Sequence, residues 1–252
     1  MKRLVVMSLA VSGVAAGVCT ATDAHAIELG TPATEHPFRS AQNFALEIRL
    51  SPYRPQVDEE TSLGGSRPLA GTFGTKGRFF IGVELDWQTI RIPHFGTIGP
   101  GVGIGYVSMS TTVDTVSGRT SADETSLSIY PIWAVGVARA DVLWREFGIP
   151  FVPYGKAGLA VAPWRASNST GTSNEGGVNG KGTSWGTDFA LGMSFALDAL
   201  DPGASRNMDN STGINNTYVY FEAYWLQLDG IAQKNALHVG TNTWSMGLAF
   251  EF

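Results

Sequence analysis

In eight stretches of this sequence every second residue is large and apolar, and the residues between are mostly Gly, Ala and Ser with a few charges. The stretches cover 44–51, 79–88, 98–106, 127–138, 154–161, 185–197, 218–225 and 243–252. Period-two alternation is the pattern of β-strands with one apolar face. In a soluble sandwich the other face meets water and should be rich in Lys, Glu, Thr and Gln. Here it offers Gly99, Gly101, Gly103 and Gly105, further small residues, and the charges Glu47, Arg49, Glu84, Asp86, Lys156, Asp188, Glu222 and Glu251. A narrow barrel interior fits that face, because eight strands leave room only for side chains, small ones alternating with large. The expected fold is therefore all-β: a closed, antiparallel, up-and-down transmembrane β-barrel of about eight strands over 43–252, its apolar parity toward lipid. The glycines at 99 to 105 are expected to make room for Tyr218, Tyr220 and Tyr224.

The lipid-facing parity includes Leu127, Ile129, Trp133, Val135 and Val137 in the fourth stretch, Leu191, Met193 and Phe195 in the sixth, and Leu248 in the last. A strand tilted about 40° climbs roughly 2.5 Å per residue, so an apolar band about 25 Å tall takes about 10 residues. Arg139 and Asp141 continue the outward parity but fall past the band, where headgroups solvate charge. Trp87, Trp133, Trp185, Trp225 and Trp244 share that parity and suit an interfacial girdle. The connections near 57–77, 110–125, 165–183 and 229–241 are long and polar, whereas those at 93–97 and 144–150 are short. Long loops at one end and short turns at the end holding the termini are the asymmetry of an outer-membrane barrel. The connection 199–216 is the exception and is expected to hold one helical stretch.

Near the start, Lys2 and Arg3 precede an apolar run from Leu4 to Val18, and Ala24-His25-Ala26 fits an A-x-A cleavage pattern. Residues 1–26 are expected to be a cleaved export signal, followed by an extended periplasmic lead-in at 27–42. The apolar run is shorter than the roughly 20 residues a spanning helix needs. Cys19 follows Val18, where a lipoprotein signal needs Gly or Ala, so the only cysteine is expected to leave with the signal. Removing Lys2, Arg3 and Asp23 with it takes the formal charge from −5 to −6. That acidic balance lacks the clustered basic face a nucleic-acid partner requires.

The terminal spacing Ser245-x-Gly247-x-x-Phe250-x-Phe252 resembles the assembly signal that bacterial outer-membrane β-barrels present to their insertion machinery. The run Leu50-Ser51-Pro52-Tyr53-Arg54-Pro55-Gln56-Val57-Asp58 resembles the Gly-Pro-Tyr-x-Pro-x-Ile-Asp segment of a family of small outer-membrane barrels typical of myxobacteria and their relatives, with Ser51 in place of the usual Gly. Further likenesses are Arg139-Ala140-Asp141, the run from Gly148 to Leu159, Trp164, and Gly213-Ile214-Asn215-Asn216-Thr217-Tyr218 leading to Glu222. The resemblance covers most of the chain after the signal. It implies a barrel in the outer membrane, with lipids, the insertion machinery and periplasmic chaperones as partners, and no generally assigned activity.

The chemistry-bearing residues are sparse. Gly99 to Gly105 repeats glycine strictly every second residue and does not meet the G-x-G-x-x-G phosphate pattern. There is no His/Cys cluster for a metal, and no cofactor is expected. A surface hydrolase would need His238, the one histidine near the outer rim, against Asp229 or Ser245, and neither spacing is diagnostic. The interior charges Glu47, Arg49, Glu84, Asp86, Lys156, Asp188 and Glu222 are expected to pair with one another, since lone charges in a dry lumen are costly. The favoured function is a non-enzymatic envelope or surface-recognition protein with a plugged lumen, its ligand unspecified. A narrow channel and a surface hydrolase are the alternatives.

Overall fold

Most of the alternating stretches become strands that run longer than the alternation itself. The computed structural model describes residues 27–28, 43–60, 63–114, 120–169, 171–175, 178–231 and 236–252. The export signal expected at 1–26 and all of the lead-in except Ile27–Glu28 lie outside them. The barrel strands are β1 (Phe44–Tyr53), β2 (Arg78–Trp87), β3 (Gly96–Asp114), β4 (Thr120–Ile129, continued after Tyr130-Pro131 by Ile132–Arg139), β5 (Phe151–Asn168), β6 (Lys181–Ala196), β7 (Asn216–Gln227) and β8 (Thr241–Glu251). Each pairs antiparallel with its neighbours in sequence, and β8 returns to β1 with Leu248 opposite Ile48 and Phe250 opposite Leu46. The ring is thus an all-β, closed, up-and-down barrel of 8 strands, as the alternation predicts. Closure leaves no edge of unpaired backbone groups in the wall. Ile27–Glu28 lies beside a short strand, Ile90–Ile92, outside the ring. No helix among the described residues is long and apolar enough to cross a membrane.

Most facing assignments agree with the structure. Leu191, Leu159, Val102 and Phe221 stand on the outer wall, as do Trp87, Trp185, Trp225 and Trp244, while Glu84, Lys156 and Glu222 are buried inside. The fourth strand is a correction. Trp133, Val135 and Val137 point into the lumen with Leu127 and Ile129, and Ile132, Ala134 and Gly136 face outward. The cause is the glycine-bearing face of β3. Gly103 lies opposite Trp133 and Gly101 opposite Val135, and a Cβ at Gly103 would sit 2.3 Å from the indole. The space beside Gly103 is filled by Trp133 of β4, and that beside Gly101 by Asp86 of β2 with Val135 and Val137 of β4, not by the tyrosines of β7; Gly105 makes room for Phe80. Arg139 shares the inward parity and is buried in the lumen, so its expected headgroup position is also corrected.

Two of the long polar connections are largely strand. β3 and β4 extend as a hairpin through Thr112 and Glu124, and β5 reaches Asn168. Hydroxyl-rich residues read as loop, yet Thr suits a pleated surface, and the hydroxyls meet across strands: Ser108 and Ser128 oxygens are 3.1 Å apart, Ser126 and Ser167 oxygens 2.9 Å. On the inner parity the same hairpin buries Val107, Met109 and Leu127.

The first loop folds back over the barrel mouth. It contains a 3-10 turn, Gln56–Glu59, and a helix α1, Pro68–Phe73. Asp58 accepts from the Leu69 N–H at 2.8 Å and the Ala70 N–H at 3.0 Å, satisfying two donors of the first turn. Val57 and Leu69 are buried beneath. At the other end, α2 (Val142–Phe147) and α3 (Pro202–Thr212) occupy the turns after β4 and β6. The helical stretch expected within 199–216 is α3, capped by Asp201 accepting from the Gly203 and Ala204 N–H groups and ended by Gly213 in the left-handed region (φ 74).

Candidate functional site

Glu47 and Arg49 on β1, Glu84 and Asp86 on β2, Arg139 on β4, Lys156 on β5, Asp188 on β6 and Glu222 on β7 all project inward, since each lies on its strand's inner parity. The closed wall brings them within one network. Lys156 Nζ donates to Glu47 and to Glu84 Oε1 (2.6 Å), and lies 3.8 Å from Glu222 Oε2. Arg139 donates to Glu47 and to Asp86 Oδ2 (2.8 Å). Arg49 lies 3.3 Å from Glu84 Oε2, 3.0 Å from Glu222 Oε1 and 3.8 Å from Asp188 Oδ2. The expected lumen residues are therefore brought together, with Arg49 and Lys156 each against carboxylates. The network's third cation, Arg139, was missed because it shares the parity of Trp133, which reads as lipid-facing from the sequence.

Aromatic side chains complete the network. The Trp133 indole N–H donates to Glu84, and the Arg49 guanidinium lies 4.7 Å from the Trp133 ring centroid and 5.2 Å from that of Tyr224. Tyr154 donates to Glu222 at 3.0 Å, and Ser245 donates to the other oxygen of that carboxylate at 2.8 Å. Toward the end holding the termini, Glu251 accepts from Gln88, Asn216 and Tyr218 at 2.8 to 2.9 Å. Asp188 is the exception: it faces Arg49, but neither carboxylate oxygen has a hydrogen bond to another described residue.

Toward the loop end the lumen is apolar. Tyr53, Phe80, Met109, Leu127, Ile129, Leu226, Leu228 and Val239 form one buried cluster with Val57 and Leu69 of the first loop. Tyr53 donates to the Val239 carbonyl at 2.5 Å. The segment Pro52 to Asp58 thus carries the chain from the wall into this cover.

The oxygens of Glu47, Glu84 and Asp86 lie within 4.8 Å of one another, a spacing that could hold a metal ion. Lys156 and Arg139 already sit on those oxygens, so the charge of the group is met by the chain itself. His238 lies in the connection before β8, while Ser245 is committed to Glu222 inside the barrel. No hydrogen bond joins His238 to Ser245 or Asp229 among the described residues, so neither pairing weighed from the sequence is made there. Of the terminal residues, Gly247 sits tight against β1: a Cβ there would lie 1.7 Å from the Ile48 carbonyl oxygen. Phe252 stacks on Phe44 with centroids 6.1 Å apart, and Phe250 lies beside Leu46.

No protein-family model matches the sequence, and no curated protein is similar to it. Among solved structures, Ail, the attachment invasion locus protein of Yersinia pestis, is similar at 11% identity and TM-score 0.40, over 84% of this chain and 97% of that one. The N-terminal β-barrel domain of Pseudomonas aeruginosa OprF is similar at 10% identity and TM-score 0.39, over 84% and 100%.

Proposed function

We propose that this protein is an outer-membrane β-barrel with a sealed lumen and no catalytic activity, a structural or recognition element that presents its long-loop end at the cell surface. The observation that carries the reading is the inverted solvation of the wall. Phe79, Leu159 and Leu191 are 62 to 68% exposed on the outside, while Glu47, Arg49, Glu84 and Glu222 are at most 2% exposed on the inside. A soluble monomer rarely exposes a continuous apolar belt, whereas a bilayer makes that belt the favourable surface. The ion-pair network and the apolar cover of the first loop together leave side chains where a water path would have to run. Residues 27–42 then lie on the periplasmic side, and insertion depends on the terminal signal that includes Gly247, Phe250 and Phe252.

Planar-bilayer recording on the purified protein tests the reading. The expected result is insertion without a steady conductance. A reproducible open level that changes on Arg49→Ala or Lys156→Ala would favour the channel and overturn the sealed lumen.

A further inference from the structure

The outer wall changes character at one height. Tyr106 and Tyr130 are exposed there with ring centroids 5.1 Å apart, and below them Ile104 and Ile132 continue the apolar belt. In the next outward row, Ser108 pairs with Ser128, Ser128 with Arg165, and Arg165 with Lys181. Two residues of climb set this row roughly 5 Å above the tyrosines. Arg165 and Lys181 are both exposed, and neither forms an ion pair with another described residue. Directly opposed residues stand about 4.5–5.5 Å apart at Cβ, and like charges so placed repel. That arrangement favours an anion between them. Further down the same two strands, Leu159 and Trp185 are exposed on the apolar wall.

We propose that Arg165 and Lys181 clamp the phosphate of a phosphorylated lipid in the outer leaflet, its acyl chains lying against Leu159 and Trp185. The inference rests on the outer-membrane reading above. Arg165 supplies a planar fork of donors and Lys181 a compact point charge. Relief of the repulsion between them adds to the attraction for the anion. The apolar wall beneath is the part of the site that inorganic phosphate cannot use, and it selects a lipid over a free ion.

The test uses the purified protein in phosphatidylcholine vesicles with and without a minor fraction of phosphatidic acid, followed by detergent extraction and mass spectrometry of the lipid retained. Phosphatidic acid should be enriched over phosphatidylcholine. The double variant Arg165→Ala/Lys181→Ala should lose roughly thirtyfold of the preference, Arg165→Lys should keep most of it, and excess inorganic phosphate should not displace the lipid. Equal enrichment by the double variant overturns the clamp, and full displacement by inorganic phosphate overturns the lipid as its ligand. Vesicle flotation and heat-dependent gel mobility confirm that each variant is a folded, inserted barrel. Lys181→Gln, a milder change expected to lose part of the preference, serves if the double variant fails that check. A wild-type protein that does not float with vesicles overturns the membrane reading itself, which separates that failure from failure of the clamp.

Discussion

Trp133 and Glu84 meet across a glycine: Gly103 pairs with Glu84 on one side and Trp133 on the other, and the indole N–H donates to the carboxylate over the space a side chain at 103 would fill. Three neighbouring strands thereby contribute a donor, an acceptor and a gap. This contact joins the charged part of the lumen to its apolar part, and it makes the small residues of β3 as specific as the large ones of β4.

Gly103→Ala should accordingly be costly although it adds one methyl. The new Cβ would lie 2.3 Å from the Trp133 ring, and overpacking of this kind costs about 1–3 kcal/mol. Gly136→Ala, whose Cβ would meet only the Ala157 carbonyl at 3.8 Å, should be near neutral. Denaturant unfolding of the two variants in vesicles compares them, and equal effects would contradict the packing.

Lys156→Met leaves Glu47 and Glu84 without their shared partner in a buried setting. Removing one member of a buried charge network typically costs about 3–5 kcal/mol. Adding Glu47→Gln should recover part of that loss, because one of the stranded charges then disappears. A double-mutant cycle on unfolding free energies reads the recovery, and strict additivity would mean that the two groups do not interact.

Leu191→Arg, on the outer wall between Trp185 and Phe195, should cost about 2–4 kcal/mol in a bilayer, while Ser110→Arg, beyond the tyrosine row, should cost about 0–1 kcal/mol. Val135→Arg is a different experiment, since Val135 lies in the lumen. Folding yields into phosphatidylcholine vesicles, compared with yields in detergent micelles, separate the lipid penalty from packing.

Asp141, in the turn after β4, supplies a pH dependence. Burial pushes its carboxyl up to about 6, only partly countered by Arg91 at 3.5 Å. A folded value above the ordinary 3.8 means that its contribution to stability is fully present below about pH 4 and is lost as pH rises through about 6, about 2–3 kcal/mol in all. The stability of wild type relative to Asp141→Asn should fall by that order as pH rises over the same window. A difference that stays constant from pH 4 to 7 would show that burial does not govern this group.

Asp58→Ala removes the acceptor for the Leu69 and Ala70 N–H groups. The expected cost is about 1 kcal/mol, concentrated in the first loop. Hydrogen exchange at those two amides should rise about fivefold while the barrel strands stay protected.

The sequence by itself determined the architecture, because alternation is a property of each strand alone. Phe79 to Trp87 and Trp185 to Phe195 announce an apolar parity, and the small and charged residues between them exclude a wetted face. It also determined most of the lumen network, since Glu47, Arg49, Glu84, Asp86, Lys156, Asp188 and Glu222 all sit opposite lipid-facing residues. What it could not determine was the facing of β4. Both environments of this wall, lipid outside and a packed lumen inside, accept Trp133 and Val135 equally well. Only the pairing of β4 with the glycines of β3 decides between them, and that is a relation between strands. Arg139 went with them, and with it the third cation of the network. The hydroxyl-rich ends of β3, β4 and β5 were hidden for a related reason: Ser and Thr read as loop until a neighbouring strand supplies the partner for each backbone group and hydroxyl. The cover formed by Val57 and Leu69 likewise exists only where the first loop meets the finished barrel, because their burial depends on side chains contributed by the surrounding wall.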